Sequence, residues 1–224
     1  MCGRYAIYGP VSRANREAIE FLGEEVAFHP TFNAAPTQNL PVFRVNPERG
    51  RELTLLRWGL VPPWAKDPAI GARMINARAE TVSEKPAFRA AFRRRRCLVP
   101  MSGFYEWQRT NGRKVPHFVR LRDTESFAVA GLHELWPRTN GAAAIESYTI
   151  LTTCANEMMR AVHDRMPVIL HERDYEVWLD PKNEKLEALK TLLAPFPAEK
   201  MRAFAVSLRV NSTRNDGPEL VEPA

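Results

Sequence analysis

The run CLVPMSGFYEWQRTNGRKVPHFVRLR, residues 97–122, decides the fold class. Two apolar stretches flank Asn111-Gly112, a pair that accepts the positive φ angles of a tight two-residue turn, so the run predicts a β-hairpin. Working outward, SFAVAGLHELW (126–136) and YTILTTCA (148–155) are further apolar stretches of strand length, each bounded by turn residues. Upstream, FNAAPTQNLPVF (32–43) predicts a loop entering a strand, and RELTLLRWGLVP (51–62) a strand stopped by Pro62 and Pro63. RAFAVS (202–207) predicts a last strand.

Helices are expected at SRANREAIEFLG (12–23), capped by Ser12 and ended by Gly23, and at KPAFRAAFRRRR (85–96), where Phe88 and Phe92 share a face. Three more are expected at NEMMRAVHD (156–164), ERDYEVWLD (172–180) and EKLEALKTLLA (184–194), the last with a Leu186, Leu189, Leu193 stripe. Helices scattered among hairpin-linked strands, without a βαβ rhythm, point to an α+β fold with a mostly antiparallel, barrel-like sheet and surrounding helices. No repeat, low-complexity tract or flexible linker divides the 224 residues, so one domain over 1–224 is expected.

Composition narrows the class. With 45% hydrophobic and 26% charged residues, the chain reads as an ordinary soluble domain. It has no run of about eighteen apolar residues, which argues against a membrane span. Arg4, Arg13 and Arg16 break up any secretory leader, which predicts a cytoplasmic location, in a bacterium alongside the nucleoid. Three widely spaced cysteines, Cys2, Cys97 and Cys154, form no C-x-x-C pair, so neither a disulfide framework nor a zinc cluster is expected. The formal net charge of +6 is compatible with a nucleic-acid partner without requiring one.

Five stretches carry chemistry that the fold alone does not demand. MCGRYAIY (1–8) sets Cys2 behind the initiator methionine; trimming of Met1 would leave an α-amine and a thiol on neighbouring carbons. INARAET (75–81) alternates Asn76, Arg78 and Glu80 with small residues. GFYEW (103–107) puts Glu106 between aromatics in an apolar strand, and AVHDRMPVIL (161–170) puts His163, Asp164 and Arg165 ahead of another. RWGLVPPW (57–64) places Trp58 and Trp64 around a proline turn. Taken singly, each has a plain structural reading. On that reading Glu106 pairs with an arginine or faces solvent, His163 caps a helix dipole, the tryptophans are core, and the Arg93–Arg96 run is a solvated helix end.

Together and in this order, Cys2, the Asn33–Pro36 NAAP, WGLVPPW, INARAET, GFYEW and HDRMPVIL resemble the SOS response-associated peptidase (SRAP) family over residues 2–215. The resemblance implies trapping of abasic sites in single-stranded DNA, with no metal or organic cofactor and a monomer as the default state. It implies that the Cys2 amine attacks the open-chain aldehyde and the Cys2 thiol closes a thiazolidine, preventing strand cleavage, with associated autopeptidase and lyase-type activity. It assigns Glu106 and His163 to acid–base work and Asn76 to the sugar or the forming ring. Arg4 and Arg78 would grip phosphates, the amides of Asn33 to Pro36 would shape the pocket, and Trp58 or Trp64 would stack on a base. The alternatives are an N-terminal-nucleophile amidohydrolase, a cysteine peptidase using His163 as base, and a non-covalent module for modified nucleic acid.

Overall fold

The structure, a computed structural model, describes residues 2–8, 28–137 and 144–224. The expected helix over 12–23 lies outside the described residues. Twelve strands and a few short helices make up the described part, confirming the α+β expectation.

Five strands close on themselves. β3 (Asn39–Asn46) pairs antiparallel with β4 (Gly50–Trp58) and with β6 (Arg96–Met101). β6 pairs with β9 (Phe127–Trp136), and β9 with β10 (Ile145–Cys154). The ring closes where Ser147 and Tyr148 of β10 pair parallel with Arg57 and Trp58 of β4. β10 then runs on past the ring, taking β5 (Asn76–Arg78) in parallel and β11 (Arg165–Pro167) antiparallel.

A second sheet carries the hairpin that opened the sequence reading. Its order is β12 (Met201–Ala205), β8 (Arg113–Leu121), β7 (Gly103–Thr110), β1 (Tyr5–Ile7), β2 (Thr31–Ala34). The β7–β8 turn has positive φ at both Asn111 and Gly112, as a two-residue turn between right-twisted strands demands. Its register, Thr110↔Arg113 outward to Phe104↔Val119, places Glu106 opposite His117.

β9 is buried along its first eight residues because the barrel covers one face and helices cover the other. α1 (Arg89–Arg94) lies against β9 and β6, and α2 (Tyr175–Leu179) lies against β6. The indole of Trp178 packs on Phe92 and donates to the Cys97 carbonyl. Arg96, buried without a carboxylate, donates to the carbonyls of Phe92, Arg93 and Trp178 and so ties α1 to α2. The Leu186–Leu189–Leu193 stripe is seen, on α3 (Leu186–Thr191) and just beyond it.

Three elements differ from expectation. The stretch CLVPMSGFYEW breaks at Ser102 into β6 and β7, which lie in different sheets, so only its second half enters the hairpin. FNAAPTQNLPVF begins as a strand, β2, not as a loop. NEMMRAVHD forms only a 3₁₀ turn over Met159–Ala161. There the Asn156 side chain accepts from the Met159 N–H and donates to the Phe196 carbonyl, offering the backbone a local alternative to a full helix.

Candidate functional site

β1 delivers the amino-terminal residues to the interior. It is zipped to β7 through Tyr5↔Phe104 and Ala6↔Gly103, and the Tyr105 N–H donates to the Arg4 carbonyl. This antiparallel register carries the residues before Tyr5 towards Glu106. Cys2 is completely buried, in the main core.

Asn76 holds Cys2 from the other side. Its Nδ2 donates a 2.8 Å hydrogen bond to the Cys2 main-chain carbonyl. That bond fixes the orientation of the amide, because only the nitrogen can donate to a carbonyl. Its Oδ1 is buried and has no hydrogen-bond partner among the described residues. A buried acceptor left open beside Cys2 is suited to a ligand hydroxyl or an amine proton.

Glu106 is only 3% exposed. Burial pushes the Cys2 thiol well above the ordinary thiol range, and the Glu106 carboxylate pushes it further the same way. The resting sulfur is therefore a protonated thiol, with the Glu106 carboxylate within electrostatic reach. Tyr5 and Tyr148 complete the floor, their hydroxyls 2.8 Å apart and both held protonated by burial.

His163 sits on the segment just before β11. Gln108 projects from the same face of β7 as Glu106, two residues on, and donates to the Ala161 carbonyl at 2.7 Å. On its other flank Arg165 makes a bidentate pair with Glu80 at 2.6 and 3.0 Å and donates to the Thr152 carbonyl. The segment is thus tied both to β7 and to the chain just beyond β5. His163 Nδ1 lies 3.0 Å from the Arg165 main-chain nitrogen and 2.8 Å from Asp164 Oδ1.

The remaining expected residues divide. Arg78, at the end of β5 and on the same face as Asn76, has an exposed side chain. Arg4 is partly committed to scaffolding: its Nη1 donates to Asn33 Oδ1 and to the Val210 carbonyl, and burial lowers its pKa. Asn33 is buried and donates to the carbonyls of Ser212 and Asn215, stitching the C-terminal segment to β2. Pro36 is half-buried in the loop between β2 and β3.

The tryptophan expectation needs correcting for one of its two residues. Trp58 is fully buried, donates to the Ile75 carbonyl and packs on Tyr5 and Tyr148, so it offers no face to a base. Trp64 is 59% exposed. Its loop is set by a close backbone crossing: a Cβ on Gly59, at φ +122°, would lie 2.5 Å from the Gly71 carbonyl oxygen. The Trp136 indole fastens the same loop by donating to the Ala65 carbonyl.

Sequence reasoning missed Tyr5, Tyr148, Gln108 and His117 as neighbours of the site. The last two were readable from the Asn111-Gly112 turn, which sets every cross-strand pair of the hairpin.

The family model for SOS response associated peptidase (SRAP) matches residues 1–213. The chain belongs to the SRAP family. An SRAP relative, the abasic site processing protein YoqW of Bacillus subtilis, is 44% identical over 224 residues, covering 99% of each chain. Abasic site processing protein HMCES of Xenopus tropicalis is 31% identical over 88% of this chain and 67% of its own. Among solved structures, a protein from Bacteroides thetaiotaomicron superposes with a TM-score of 0.85 at 26% identity, covering both chains fully. A protein from Bordetella bronchiseptica gives 0.77 at 28% identity, over 92% of this chain and all of its own. Among the described residues of this SRAP chain, no helix is long and apolar enough to cross a membrane.

Proposed function

We propose that this chain, acting as one SRAP domain, processes abasic sites in single-stranded DNA by trapping them covalently at Cys2. The observation that carries the reading is the placement of Cys2: buried, clamped by Asn76 and within the electrostatic reach of Glu106. The relatives named for abasic-site processing support the substrate.

Met1 removal comes first, by methionine aminopeptidase or by the chain itself, and frees the α-amine. With a pKa of about 8, about a tenth of that amine is neutral at pH 7 and able to attack. Its lone pair attacks the aldehyde carbon of the ring-opened sugar, forming a carbinolamine. His163 supplies a proton as the hydroxyl leaves as water, giving an iminium. The Cys2 sulfur then bonds to the iminium carbon and the C=N electron pair returns to nitrogen, whose existing N–H becomes that of the ring; Glu106 takes the thiol proton, which replaces the one His163 gave up. One water is lost overall and no electrons are transferred. Closing the ring removes the imine through which β-elimination would cut the strand.

Arg78 grips a phosphate beside the lesion and Trp64 stacks on a neighbouring base. The test is incubation of the processed protein with a single strand bearing one abasic site. The reading requires an SDS-resistant adduct that disappears in Cys2→Ala. Hydrolysis of peptide or glutamine amides without an adduct would contradict it, as would reversible binding indifferent to Cys2→Ala.

A further inference from the structure

The arginine run at the end of α1 divides by what each side chain touches. Arg96 is consumed by backbone carbonyls. Arg95 donates to the buried carboxylate of Glu134 at 2.6 Å. Arg94 meets Glu184 at 3.1 Å in a pair whose side chains are both largely exposed, an interaction of small net worth that a competing anion displaces easily. Arg89 and Arg93 are different. They stand one helical turn apart on the exposed face, and neither side chain has an ion-pair or hydrogen-bond partner among the described residues.

These side chains surround a concavity. A cavity of about 350 Å³ is lined by Arg89, Ala90, Arg93, Arg94 and Arg95, with no carboxylate in its wall. Arg94 and Arg95 already face carboxylates, but Arg89 and Arg93 bring two guanidinium groups without an ion-pair partner among the described residues to the same hollow, and an anion that bridges them relieves their repulsion. Their planar forks match phosphate oxygens in a bidentate manner. The chain as a whole is basic, at +6.

We infer that this arginine-lined hollow is a second nucleic-acid contact, which takes the phosphodiester backbone of the bound strand at a distance from the lesion. The inference rests on nucleic acid being the substrate, but not on the covalent chemistry at Cys2. The hollow contributes charge neutralisation without sequence readout, so its signature is the salt dependence of binding and its dependence on strand length.

The test uses the full chain with Cys2→Ala, so that no adduct forms, and undamaged single strands of two lengths. One strand just fills the pocket and the other is several times longer. With Arg89→Gln and Arg93→Gln together, the slope of log affinity against log salt should shrink by about 1.4 on the long strand, two contacts at about 0.7 each, and stay unchanged on the short one. Arg89→Lys with Arg93→Lys should restore the slope, since counterion release depends on charge. An unchanged slope on the long strand, an equal loss on both lengths, or no rescue by lysine each overturns the inference. So does an unchanged DNA slope with lost binding of inorganic tripolyphosphate, which would assign the hollow to small polyphosphates. Trapping of an abasic strand by the otherwise unaltered Cys2 protein is read separately, so the two proposals fail independently.

Discussion

Asn76 donates a 2.8 Å hydrogen bond to the Cys2 carbonyl across 74 residues of sequence, while its own Oδ1 is left buried and open. One side chain thus fixes Cys2 and presents an acceptor to whatever approaches it. Asn76→Leu should slow adduct formation roughly 2- to 10-fold, from the ~0.5–1.5 kcal/mol of a neutral hydrogen bond. Single-turnover trapping kinetics check this, and an unchanged rate would remove Asn76 from the site.

Burial is the main cause of the raised Cys2 thiol, and Glu106→Gln removes the charge that adds to it while keeping the shape of the strand. Adduct formation should fall by roughly 10²–10⁴-fold, the range for loss of a positioned acid–base group, with affinity for undamaged DNA nearly intact. A parallel loss of affinity would mean that Glu106 organises the fold and not the proton transfers.

Trp58 and Trp64 should separate cleanly. Trp58→Ala hollows out the core and should cost about 3–5 kcal/mol of stability. Trp64→Ala should stay within about 0.5 kcal/mol of the parent in stability yet weaken single-strand binding by ~1–3 kcal/mol. Chemical denaturation and anisotropy titrations, run on both variants, decide the matter. Equal effects on binding would restore the stacking role to Trp58.

The sequence made much of this legible, and the boundary has a physical cause. The Asn111-Gly112 turn fixes a two-residue hairpin and with it the whole β7–β8 register, including Glu106 opposite His117. Local chemistry sufficed there. The Cys2–Asn76 contact and the closure of the barrel through β10 depend on pairings remote in sequence, including two parallel ones, which no local pattern encodes. Trp58 and Trp64 look alike in RWGLVPPW. Burial separates them because Trp58 ends β4 against Tyr5 and Tyr148, whereas Trp64 lies beyond the turn.

His133 gives the fold a pH-dependent component distinct from the site. Burial, reinforced by the positive charges of Arg44 and Arg95, pulls its pKa down to about 3. The unfolded value is about 6.5, so below that pH the unfolded chain binds a proton that the folded chain refuses. Its contribution is fully present above about pH 6.5 and is lost as pH falls towards 3, at about 1.4 kcal/mol per pH unit. His133→Asn should flatten the stability profile by that slope in urea titrations across this window. A variant profile parallel to the parent's would show that His133 does not set the acid limb.

The central claim is that one amine and one thiol on the same residue close a ring on the sugar, and intact mass of the denatured adduct tests it most directly. The account predicts a species equal to the chain without Met1 plus the abasic strand minus one water, stable without borohydride. It predicts that Cys2→Ser leaves only an imine that must be reduced to be seen. An adduct on a chain that still carries Met1, or an equally stable unreduced adduct with Cys2→Ser, would contradict it.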